Sequence, residues 1–369
     1  MERQNLNHAA KVIAPLALLA LVGALWAGLL RLGWRLPTPQ GSLAAAHGPL
    51  MVAGFFSVVI GLERAVALKW PFAYLAPLLA GMAGLLLLFD GASAMVPLLA
   101  TLGSLVLVIV FGRIVRDHPA AYTVTMAVAT VAGLVGNLLW LAGRPLFEVV
   151  FWWASFLVLT IAGERLELGR LLNLSRPVQV AFGLIVALVL AGAALASFNF
   201  DAGTRLYGLA ALLLAAWLLR YDIARRTVRK QGLTRFIAVC MLSGYGWLAI
   251  SGLIGLVYGG IPAGPVYDAM LHALFVGFVF AMVFGHAPII IPALTGLRIS
   301  YAPVFYLHLV LLHGSLLLRL LGDLAGWVPL RQWGGMLNVV ALLLFAGVTI
   351  TFGRTRNDER KTMNAARGN

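Results

Sequence analysis

Apolar residues fill twelve blocks of the chain, and polar residues collect in the short segments between them. Each block approaches the roughly 20 residues that an α-helix needs to cross a hydrocarbon layer. The blocks fall near 12–33, 43–62, 72–90, 94–112, 120–142, 146–163, 178–198, 204–220, 236–259, 266–286, 302–322 and 333–352. The first follows Lys11 and is longer than the 7–15-residue apolar region of a signal peptide. With Arg31 and Arg35 behind it, this block reads as a retained first helix. The pattern predicts an all-α, polytopic integral membrane protein with twelve transmembrane helices, forming a single membrane domain over residues 1–369.

Composition removes the alternatives. Of 369 residues, 62% are hydrophobic and only 11% charged, with a mean hydropathy of +0.95. A soluble domain carries about a quarter charged residues, and this excess of apolar surface cannot be hidden in one aqueous fold. The single cysteine, Cys240, excludes a disulfide scaffold. A net charge of +14 does not indicate nucleic acid, because the cations are scattered between apolar blocks. With the N-terminus inside, 21 of the 27 Lys and Arg residues fall in inner segments. The outer ones are Arg31, Arg35, Arg144, Arg205, Arg319 and Arg331. This bias predicts that both termini are cytoplasmic, in a cell inner (plasma) membrane, with lipid as the surrounding partner. The basic stretch Arg225–Lys230 reads as part of that topological signal.

The inner ends of the second, sixth and tenth blocks resemble one another: Gly61-Leu-Glu63-Arg64, Gly163-Glu164-Arg165 and Gly285-His286. Each precedes a proline that opens the next block, Pro71, Pro177 and Pro303. The chain therefore reads as three four-helix modules, approximately 1–118, 119–231 and 232–369. The Glu-Arg pairs at these ends read as structural clamps close to water.

Ionisable groups inside spans are costly and mark functional positions. Five of the seven histidines lie in or at the ends of blocks: His47, His272, His286, His308 and His313. His47 and His272 both sit one to two turns from the outer end, and His313 also falls in the outer half. His308 lies about 7–8 Å deeper on the same helix. Three imidazoles at comparable depth can converge if their helices line one interior. His47 is followed one turn on by Met51, and Gly54 and Gly61 leave one helix face smooth for a flat ring or a close helix. Asp268, one turn before His272, is placed either to hold its second ring nitrogen or to serve as a solvated cap near the water interface. Glu148, opening the sixth block, lies near the depth of His47 as a ligand or proton carrier. His286 is about 21 Å from His272 along one helix and belongs to a separate site, a proton path or the interface. Trp152 and Trp153 read as interfacial anchors. A His47–His272 pair suits non-covalent haem, with His313 and His308 available to a second metal.

Twelve helices, inner termini and outer-half histidines on helices two and ten resemble the catalytic subunit of haem-copper oxidases and nitric oxide reductases. The segments His272-Ala-Leu-Phe-Val-Gly277 to Gly285-His286 and Ala46-His47-Gly-Pro-Leu-Met51-Val-Ala-Gly54-Phe55 are similar to the NnrS family of haem- and copper-containing membrane proteins. The resemblance implies b-type haem on His47 and His272, copper as a second metal, and a role in nitric oxide, denitrification or respiratory redox metabolism. An enzyme of this kind would be an oxidoreductase acting on nitric oxide or oxygen, served by a redox donor or another membrane subunit. No histidine occurs in the sixth or seventh block, where the oxidases hold copper. The alternative is a secondary transporter or metal permease with histidines lining its pathway.

Overall fold

The computed structural model describes residues 2–91, 93–295 and 298–354. Twelve of its helices are long and apolar enough to cross a membrane: α1 Ala9–Arg31, α2 Leu43–Leu68, α3 Pro71–Phe89, α4 Met95–Asp117, α5 Ala121–Leu141, α6 Leu146–Gly169, α7 Arg176–Ala196, α8 Phe200–Tyr221, α9 Gly232–Tyr258, α10 Pro265–Pro292, α11 Phe305–Leu324 and α12 Val328–Thr351. All twelve expected spans are present. The main differences are extensions past the apolar block, as in α2, which continues through Glu63 and Arg64 to Leu68. Ion pairing lets the helix carry those charges onward. The C-terminal cations Arg356, Arg360, Lys361 and Arg367 lie outside the described residues.

Local chemistry sets several helix ends. Proline opens α3, α7, α10 and α12, where its missing N–H costs no helical hydrogen bond. Asn199 caps α8 by accepting from the Ala202 amide at 3.1 Å. At the end of α9, Gly259 takes φ +71°, a conformation that a side chain disfavours.

Helices adjacent in the chain pack side by side, and α12 returns to touch α1. Within this ring α6 and α10 are the most enclosed, with 72% and 67% of their central windows buried, against 33% for the lipid-exposed α7 and α12. Helix α10 touches α6 and the C-terminal part of α2, so the second, sixth and tenth helices meet. Without a hydrophobic force between helices in lipid, small residues govern such approaches. A Cβ at Gly54 would lie 3.1 Å from Ala20 and 3.5 Å from the Cα of Gly84. The smooth face of α2 is thus filled by α1 and α3, not by a flat ring.

The face where α1 begins and α12 ends is here the near face; the opposite one is the far face. Several charged residues at near-face helix ends are tied together. Arg64 of α2 donates to Glu164 of α6 at 2.5 Å and lies 3.4 Å from Glu63. Arg165 grips Asp222, beyond α8, through two bonds of 2.7 and 2.8 Å, with both side chains buried.

Candidate functional site

His47 opens the helical part of α2 at the far face, directly after a 3-10 turn over Leu43–Ala46. Its Nδ1 lies 2.7 Å from the carbonyl oxygen of Ala24 on α1. One turn later on α1 stands Gly28, where a Cβ would come within 3.0 Å of the imidazole. The bare glycine makes room for the ring, and the carbonyl fixes its rotation. A carbonyl can only accept, so Nδ1 carries the proton and Nε2 presents its lone pair.

His272 repeats the arrangement on α10. Its Nδ1 lies 2.8 Å from the Asp268 carbonyl, one turn back. The Asp268 Oδ1 lies 3.4 Å from the same nitrogen, close beside the ring as the one-turn spacing suggested, while the nearer contact is the backbone carbonyl. The Asp268 Oδ2 accepts from Arg319 Nη2 at 2.8 Å and Nε at 3.1 Å, with Arg331 at 3.7 Å. Arg331 in turn lies 2.7 Å from Asp323, whose side chain is fully buried. Two acids and two arginines from α10, α11 and α12 thus neutralise one another beside the histidine.

The two imidazoles face each other with ring centroids 6.0 Å apart and planes inclined by 14°. Each is followed by a π-helical segment, Leu50–Phe56 and Ala273–Phe280. Eight residues after each histidine comes a phenylalanine, Phe55 and Phe280, and these rings also pair, at 6.1 Å and 10°. In a regular α-helix eight residues overshoot two turns by about 80°. The wider π turns take up that excess, so both residues meet their counterparts across the α2–α10 contact. Ser57 Oγ donates to the Val52 carbonyl at 2.8 Å inside this segment.

The pair opens onto a cavity of about 160 Å³, lined mainly by apolar residues such as Leu25, Val150, Phe275 and Leu342. Met51 and Asp268 line it as well, and Arg31, Arg319 and Asn338 supply polar groups. Trp153 also faces the cavity, buried and donating to Asn137 Oδ1 at 2.9 Å, so it is no interfacial anchor.

Other expected site residues go elsewhere. His313 receives a bond from Trp247 Nε1 at 2.9 Å, and its Nε2 is 2.9 Å from Ser243 Oγ. Both its nitrogens are thus spent on α9, and it does not join the pair. His308 is 1% exposed among Phe236, Phe284, Phe305 and Phe345; this box separates it from the cavity. Glu148 is bound at 2.5 Å by Arg144, which also donates to the Ser197 carbonyl, and it lies outside the cavity lining. His286, its Nδ1 2.8 Å from the Met282 carbonyl, stands towards the near face. Among the described residues, no three His, Cys, Asp or Glu side chains are grouped to hold a metal ion. Sequence reasoning missed Gly28, Trp153 and the network around Arg319. An arginine inside an apolar run, four residues before Asp323, was the available signal for that network.

Twelve such helices around a partly buried histidine pair define a multi-pass membrane protein. The chain belongs to the family described as a domain of unknown function, DUF8744, which matches residues 11–354. No curated protein matches it.

Proposed function

We propose that His47 and His272 would hold a non-covalently bound b-type haem, making this chain a membrane redox protein. The observation that carries the reading is the facing pair with both Nδ1 atoms bonded to carbonyls. Metal–imidazole bonds are about 2 Å long. A metal held by both rings would have to lie along their in-plane Nε2 lone pairs, so the near-parallel imidazoles, 6.0 Å apart, would turn edge-on to take it. A bare zinc or copper ion would call for three or four protein donors. Haem brings four nitrogens of its own and needs only the two that α2 and α10 present. Arg31 suits the carboxylates of such a group, and the apolar walls suit its ring. The cavity of about 160 Å³ falls below the usual 300–1,000 Å³ or so of a cofactor pocket. Binding thus requires the side chains between α2 and α10 to part.

Haem bound by two imidazoles supplies one-electron transfer. Such a site needs an electron donor from outside this chain, and the similarity of the two histidine segments to NnrS proteins favours nitric oxide or respiratory metabolism as its setting. The near face is assigned to the cytoplasm of a plasma membrane, because it carries most of the basic residues.

The test is an optical spectrum of the detergent-purified protein, as isolated and after haem supplementation. The expected result is a Soret band with a low-spin bis-imidazole signature, lost in His47→Ala and His272→Ala and retained in His313→Ala. A protein that stays colourless after supplementation overturns the proposal.

A further inference from the structure

A second concave site lies on the near face, far from the histidine pair. The end of α8, the segment leading to α9 and the start of α7 enclose a cleft of about 920 Å³. Five cations line it: Arg220, Arg225, Arg226, Arg229 and Lys230. The one acid in its wall, Asp222, is already neutralised, since Arg165 holds both its carboxylate oxygens. Arg225 is tethered to the Arg220 carbonyl at 2.8 Å, and the Arg220 guanidinium lies over the Tyr221 ring. Arg226, Arg229 and Lys230 are exposed and have no ion-pair partner among the described residues. An orientation signal needs cations only somewhere on the inner side. It gives no reason to gather five around one hollow, where they repel one another unless an anion enters.

The surroundings select the source of that anion. The cleft sits where α7 begins and α8 ends, at the boundary of the apolar layer, with Ser175 and Asn173 adding polar groups. On the same helices, Val180 and Leu184 of α7 and Leu219 of α8 are exposed large apolar residues. A headgroup in the cleft can therefore extend acyl chains along neighbouring lipid-facing surface. We propose that this cleft is a headgroup site for an anionic phospholipid, with Arg226, Arg229 and Lys230 holding the phosphate. Basic pockets between helices on the inner side bind such headgroups.

The test uses the purified full-length protein in neutral detergent micelles doped with phosphatidylglycerol or phosphatidylcholine of matched chains, with retained lipid counted by native mass spectrometry. Phosphatidylglycerol should be retained and phosphatidylcholine not, and millimolar inorganic phosphate should not displace the lipid. The triple variant Arg226→Gln/Arg229→Gln/Lys230→Gln should weaken retention by about a hundredfold. Arg226→Lys/Arg229→Lys, which keeps the charge, should hold the lipid within about threefold. Lys69→Gln/Arg116→Gln removes two near-face charges outside the cleft and should change nothing. The proposal is overturned by unchanged retention in the triple variant, by equal loss in the outside control, by equal retention of phosphatidylcholine, or by displacement with phosphate.

Discussion

Each of the paired histidines is held by one backbone carbonyl, and small changes around these contacts should be felt. Gly28→Val would drive a side chain into the His47 ring, already 3.0 Å from an imagined Cβ. Overpacking of this kind costs about 1–3 kcal/mol. Its expected signature is a lower ratio of Soret to protein absorbance in a protein that still inserts and purifies; an unaltered ratio would show that the cradle is not needed. Asp268→Asn removes the charge that Arg319 and Arg331 share. Breaking a buried pair from one side costs about 3–5 kcal/mol, so thermal unfolding should drop clearly. The double variant Asp268→Asn/Arg319→Met should recover part of that loss, because it leaves no guanidinium without its partner. Equal melting of single and double variants would mean that the network is not under electrostatic load. None of this was visible in the spacing of Asp268 and His272, which suggested a direct bond. One carboxylate oxygen stays 3.4 Å from the ring nitrogen, and the other turns to Arg319, a stronger partner that arrives from a helix more than fifty residues away.

Helices α2 and α10 carry the site because of their π-helical segments. Deleting one residue within Leu50–Phe56 should restore regular α geometry and rotate His47 by about 100° relative to Phe55 and the rest of α2. The expected result is an inserted, folded protein without haem; full haem content in the deletion variant would refute the role given to the π turns. A second prediction concerns the clamp between α6 and the α8–α9 connection. Asp222→Ala leaves Arg165 buried and unpaired, and should lower stability by about 3–5 kcal/mol. Arg165→Met/Asp222→Leu should cost distinctly less, which parallel thermal melts will measure. All twelve spans were readable from the sequence because the bilayer imposes a length and a composition. The π segments were not, since a widened turn leaves no mark in an apolar run.

For the whole molecule, the basic bias of the near face makes a directional prediction. In a Cys240→Ala background, Lys230→Cys should react with a membrane-impermeant maleimide only after permeabilisation, and Arg144→Cys should react in intact cells. The reverse pattern would invert the assigned orientation and place the basic cleft outside. The meeting of α2, α6 and α10 also explains why their near-face ends share a Gly-Glu-Arg or Gly-His pattern. Arg64 and Glu164, 100 residues apart, are in direct contact there.

The sequence by itself determined the class of protein and the number of its spans, because crossing a bilayer constrains every twenty-residue window separately. It also singled out His47 and His272, because ionisable groups are rare enough in such windows to stand out. Which polar residues meet was decided by the tertiary structure alone. His313 lies at a depth like that of His272, yet Trp247 and Ser243 hold it on another helix face. Depth can be counted along a chain, but rotation and partner depend on side-chain packing between helices distant in sequence.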